Sequence, residues 1–233
     1  MGRGTTMNES TRESIRFFTG ADYLVVNNLL WANKINLRRG IEAAHRNNAG
    51  VIREAMEMTP EVRWGVPKEE GEKLLEAYRR RTPDEITEAS EAKIIETAIN
   101  DIRTICDSMR PADSEMTLYR NVEEEHAIKE LTVGKEVDLL GLTSTSSTGQ
   151  KIDYGNGSFK TAFCIYEIKI SVGLPVLIVE NDYREENEVI LPPMRYRISG
   201  TRDNGKIAAL EAIKPLDISL IIKNAKMALN IRN

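Results

Sequence analysis

Along the first 110 residues the apolar positions recur at helical spacing. Tyr23, Val26, Leu29 and Leu30 follow Asp22 on one face. Ile41, Ala44, Val51, Ile52, Ala55 and Met56 predict a second helix or a pair of helices. Pro60, Gly65 and Pro67 interrupt the pattern, and Leu74, Leu75 and Tyr78 mark a short third helix. Thr82-Pro83-Asp84-Glu85 then reads as a helix start, with Thr82 as the cap, Pro83 at the first helical position and Glu85 closing a capping box. The helix that follows carries Ile86, Ile94, Ile95, Ala98, Ile99, Ile102 and Ile105, and stops by Pro111.

Beyond that point the period falls to two. Ile168, Ile170 and Val172 alternate with Glu167, Lys169 and Ser171, the pattern of a half-buried strand. Met116–Arg120, Glu136–Leu142, Pro175–Glu180, Asn187–Leu191, Arg195–Thr201 and Lys206–Ile213 also read as strands, parted by Gly, Asn, Asp and Pro turns. Asn204-Gly205 predicts a hairpin. The connections are too short for helical crossovers, which predicts an antiparallel or mixed sheet. The tail from Asp217 to Asn233 leans to helix. The expectation is an α+β protein: a helical lobe over residues 1–112 packed on a β-rich core over 113–233, together one compact domain.

Composition narrows the function classes. Hydrophobic residues make up 41% and charged residues 29% of 233, ordinary for a soluble globular chain. The formal net charge of -4 gives no electrostatic case for nucleic acid or an acidic membrane. Arg79-Arg80-Arg81 sits among Glu-rich helices and reads as a solvated helix face rather than a phosphate patch. Cys106 and Cys164 read as buried free thiols. His45 and His126 have no partner at metal-ligand spacing, so no zinc site or histidine triad is expected. No apolar stretch is long enough to span a membrane, and Met1 to Thr11 lacks a signal-peptide core. A cytoplasmic protein, or an effector delivered into another cell, is expected. The stretch Gly200 to Lys206 lacks the glycine spacing of a phosphate loop.

Three short motifs of the β half carry chemistry: Leu118-Tyr119-Arg120, Ser144-Thr145-Ser146 after Leu142-Thr143, and Glu186-Asn187-Glu188 running into Val189-Ile190-Leu191-Pro192-Pro193. Each alone is an ordinary surface feature. In this order they resemble the arginine–serine–glutamate class of ADP-ribosyltransferases, which includes binary actin-modifying bacterial toxins and vertebrate arginine-specific enzymes. The stretch from Phe17 to Trp31 adds a fourth match, since it resembles the toxin-type helix bearing a Tyr and an Asn one turn apart, at Tyr23 and Asn27. The resemblance runs from about Phe17 to Ile213. Two departures stand out: Trp31 replaces an arginine usual to that helix motif, and residues 34–81 form extra helix.

The resemblance implies a two-sheet β core and an activity that cleaves NAD at the nicotinamide–ribose bond and moves ADP-ribose to an arginine of a target protein. NAD is then a substrate, and no metal is implied. Glu188 would stabilise the oxocarbenium-like ribose, as a carboxylate does in glycoside hydrolysis. Glu186, two residues away and on the same face if the segment is extended, would hold and help deprotonate the acceptor guanidinium. Arg120 would bind the pyrophosphate through its planar donors, and Ser144 would position Glu188 and the ribose. Thr145 and Ser146 would support the strand. Phe159, or its rival Tyr154, would stack on nicotinamide, with Lys160 as the basic neighbour. Tyr23 and Asn27 would close over the phosphates, although Tyr23 beside Val26 and Leu30 fits a core position equally well. Tyr183 would face the protein substrate or be a plain turn residue. The other readings are an NAD glycohydrolase, with water as acceptor, and a non-catalytic module that keeps the fold.

Overall fold

The structure, a computed structural model, describes residues 8–20, 22–123, 127–147, 163–179 and 188–231. Its residues group into two units, one running to Ile105 and taking in the chain from Ile222, the other Cys106–Ile221.

The first unit holds helices α1 (Glu9–Thr19), α2 (Tyr23–Leu30), α3 (Lys34–Met58), α4 (Pro60–Trp64), α5 (Lys68–Arg81) and most of α6 (Glu88–Asp107). Side chains of Asn8 and Asn33 cap α1 and α3 by accepting the Thr11 and Asn36 N–H groups. The expected second element is the single helix α3, which passes close to α2. A methyl group on Gly40 would lie 3.1 Å from the Leu24 backbone, so glycine is what lets the two helices meet. Thr59, at φ 73°, turns the chain into Pro60 and α4. The expected start of α6 is displaced. Thr82 instead closes α5 by donating its N–H to the Tyr78 carbonyl, and Pro83 offers its carbonyl to His45 Nε2 at 2.7 Å. The reciprocal cap lies five residues on, where Thr87 and Ser90 exchange side-chain and backbone bonds at 2.7 and 3.2 Å.

Arg79 and Arg80 are exposed, as expected of a solvated basic face, and only Arg81 departs from that expectation. Its side chain is only 9% exposed. Nη1 and Nη2 grip Asp101 at 2.6 and 2.9 Å, Nε reaches Glu13 at 3.1 Å, and Asp22 lies 3.6 Å away. The guanidinium also stacks 4.0 Å from the Phe17 ring centre. Ser14 donates to Asp101 at 2.7 Å and Asn48 to Asp22 at 3.3 Å. One largely buried cation thereby joins α1, α5, α6 and the residue before α2.

Burial raises the Asp22 carboxyl to about 6, although Arg81 and Asn48 pull it down. Its pKa is higher folded than unfolded, so Asp22 favours the folded state fully below the ordinary 3.8 and loses that contribution as pH rises through about 6. A shift of about two units is worth about 3 kcal/mol. The stability of wild type relative to Asp22→Asn should therefore fall by about that much between pH 4 and 7.5, read by denaturant unfolding. Glu13 acts in the opposite sense: burial raises its carboxyl, but hydrogen bonds from Arg80 and Arg81 outweigh that and hold it low. A wild-type-minus-variant difference that stays flat with pH would show that the Asp22 charge is not desolvated.

The second unit is built on strands β1 (Arg110–Pro111), β2 (Met116–Val122), β3 (Glu136–Leu139), β4 (Thr143–Ser146), β5 (Cys164–Ile170), β6 (Pro175–Ile178), β7 (Glu188–Leu191), β8 (Met194–Arg202) and β9 (Ile207–Pro215). They form one hydrogen-bonded order, β1-β6-β7-β4-β2-β5-β9-β8-β3. The sheet is mixed, since β5 and β9 run parallel and every other pair is antiparallel. Where two sheets are implied, the structure shows a single order whose β2–β4 seam is one residue pair, Tyr119 opposite Ser146. β5 buries Cys164, Ile165 and Tyr166 in succession at its start and then alternates as expected, with Ile168 and Ile170 buried and Glu167 and Lys169 turned outward. It ends at Ile170, because Gly173 at φ 88° turns the chain, and Val172 stands exposed. The β8–β9 hairpin turns through Asp203–Gly205, all at positive φ. Helix α7 (Ile218–Leu229) occupies the tail. Among the described residues no helix is long and apolar enough to cross a membrane.

Candidate active site

Three neighbouring strands of the second unit bring Arg120, Ser144 and Glu188 together. The register sets Ser146 opposite Glu188 and Ser144 opposite Ile190, so Ser144 and Glu188 are diagonal neighbours on one face. Ser144 Oγ donates to Glu188 Oε1 at 2.5 Å. Glu188 is only 8% exposed, so its carboxylate is largely removed from water and held by a short charge-assisted bond. Thr145 points to the other face and donates to the Val189 carbonyl at 2.6 Å, tying β4 to β7 below the site. Arg120 leans from β2 over β4, where Nη1 donates to the Ser144 carbonyl at 3.3 Å.

This arrangement places a guanidinium, a hydroxyl and a buried carboxylate within one short stretch of sheet. It has the parts needed to bind an anion at Arg120 and to meet developing positive charge at Glu188. The two thiols take no part in it: burial pushes Cys106 up to about 12 and Cys164 up to about 11, keeping both protonated. Among the described residues no cluster of His, Cys, Asp and Glu could hold a metal ion.

The remaining sequence-predicted residues belong to the first unit or lie outside the described residues. Tyr23 begins α2 and is 43% exposed, so it is not a core residue. Asn27, one turn on, is buried, and its Oδ1 has no hydrogen-bond partner among the described residues. Glu186, Tyr183, Phe159, Tyr154 and Lys160 lie outside the described residues. Two features escaped the sequence reading: the buried Arg81 network, and Tyr166, which stands directly opposite Arg120 on β5.

No family model matches the chain, and no curated protein matches its sequence. Its structure is similar to that of BECa, an ADP-ribosylating toxin of a binary enterotoxin of C. perfringens, solved with NADH. The TM-score is 0.53 at 13% identity, over 89% of this chain and 44% of that one. The chain has an ADP-ribosyltransferase toxin fold. It spans under half the length of BECa. The Clostridium limosum C3 exoenzyme is also similar, with a TM-score of 0.43 and 16% identity over 90% of this chain and 87% of that one. So is the Vis toxin, an ADP-ribosyltransferase from Vibrio splendidus, at 0.44 and 14% over 90% and 76%.

Proposed function

We propose that this protein cleaves NAD at the nicotinamide–ribose bond and transfers ADP-ribose to an arginine of a target protein. The observation that carries the reading is the Ser144–Glu188 hydrogen bond beside Arg120, on the fold of an ADP-ribosylating toxin. The bond that breaks leaves positive charge on the ribose, and a buried carboxylate fixed in place stabilises that charge without having to reorganise. Ser144 keeps Glu188 aimed, and its own oxygen stays within reach of a ribose hydroxyl. Arg120 supplies planar paired donors for the pyrophosphate. The resemblance of the Glu186-Asn187-Glu188 motif to the family's implies the acceptor role for Glu186, since a guanidinium is charged at neutral pH and attacks only after losing a proton. Tyr23 and Asn27 take the phosphate contacts that the toxin-type helix motif implies, and Phe159 or Tyr154 stacks on nicotinamide.

The test is incubation of the purified protein with labelled NAD, once with agmatine as a small guanidine acceptor and once with a cell lysate. The expected result is nicotinamide release, labelled agmatine, and a labelled lysate protein whose modified residue is arginine by mass spectrometry. Label on a different residue would remove the arginine assignment. Intact NAD in every tube would remove the enzymatic reading.

A further inference from the structure

Arg120 shares its face of β2 with Leu118 and Val122, both buried, because residues two apart on a strand point the same way. Its stem therefore leaves the strand over an apolar surface. β2 lies between β4 and β5, so the side chain has two directions in which to lean. On the β5 side the residue opposite Arg120 is Tyr166, and directly paired side chains of an antiparallel ladder are close neighbours on one face. Tyr166 is 2% exposed, and its oxygen accepts the Ile128 N–H at 2.7 Å. The ring is thus held at both ends, by its strand and by the 127–131 segment. Arg120 leans the other way, onto the Ser144 carbonyl.

We propose that Tyr166 is a positioning residue for the reaction: its ring, locked by Ile128, is the wall that turns Arg120 away from β5 and onto the Ser144 carbonyl of β4. The proposal rests on the reading of Arg120 as the pyrophosphate-binding residue. Electrostatics agree with the geometry. Burial pushes the Tyr166 phenol up to about 12, while the Ile128 N–H and the Arg120 charge draw it back, so the guanidinium is felt at the ring.

The experiment titrates NADH by calorimetry, since its neutral dihydronicotinamide is a poor leaving group, and measures nicotinamide release from NAD alongside. Tyr166→Val removes the wall. NADH Kd and the KM for NAD should each rise about fivefold or more, the lower end of typical coupling effects, while kcat holds within about twofold. Tyr166→Phe keeps the wall and loses only the lock, so it should recover most of the affinity. In an Arg120→Ala background nothing remains to be steered, and Tyr166→Val should cost nothing further. Wild-type affinity in Tyr166→Val, or an equal further loss in the Arg120→Ala background, overturns the proposal. If Tyr166→Val does not fold, Tyr166→Leu keeps more of the buried volume and is read the same way. Arg120→Ala that itself binds NADH normally overturns the pyrophosphate reading instead, so the two failures are told apart.

Discussion

Glu188→Gln should lower nicotinamide release and ADP-ribose transfer together, by about a hundred- to a thousandfold, with folding intact. Glutamine has nearly the size of glutamate and keeps a carbonyl oxygen for the Ser144 hydroxyl, which donates at 2.5 Å in the native protein. What goes is the negative charge in a site where the residue is 8% exposed. A charge so shielded from water acts strongly on the oxocarbenium ion and costs no reorganisation as the bond breaks. In the proposed reaction both products pass through that step, so both should fall by the same factor. Circular dichroism and the melting midpoint report on folding. A folded Glu188→Gln protein with near-normal turnover would remove Glu188 from the chemistry.

Glu186→Gln should part the two activities that Glu188→Gln lowers together. Glu186 lies two residues before Glu188 in one short motif, and its proposed work concerns only the acceptor. Cleavage of NAD needs no guanidinium. Transfer needs one held close and relieved of a proton, and glutamine can hold it weakly but cannot take the proton. Labelled transfer to agmatine should fall by about a hundredfold or more, in the range of lost general-base catalysis, while nicotinamide release into water persists. Two assays on one purified variant decide it. An equal fall in both assigns Glu186 to cleavage or to folding. No fall in either would remove Glu186 from the acceptor step.

Much of the fold was legible in the chain. Period-two runs from Met116 and Pro175 became β2 and β6, and the apolar stripe from Ile94 to Ile105 became α6. Local errors came where two signals competed. Thr82-Pro83 has the chemistry of a helix start, but Thr82 closes α5, and the shorter Thr87/Ser90 pair does the capping. Asp101 was a clue left unread. It falls in the buried stripe of α6, between Ala98 and Ile105, where only a paired acid is tolerated. A buried acid at that position calls for a buried cation, and Arg81 is that cation.

The sequence by itself determined which residue types are available and in what order: an arginine ending one strand motif, three hydroxyls in a row, and a carboxylate before an apolar strand. Motif order and strand period are properties of neighbours along the chain, and they suffice to nominate Arg120, Ser144 and Glu188. Tertiary structure alone decided that these three meet. The β4–β7 register makes Ser144 and Glu188 diagonal neighbours across 44 positions of chain, and a slip of one residue would turn Glu188 to the opposite face. It alone also decided that Arg81 is largely buried while Arg80 beside it is exposed, and that Tyr166 stands opposite Arg120. Pairings of that kind depend on which strands and helices come to lie side by side, and no short-range pattern encodes them.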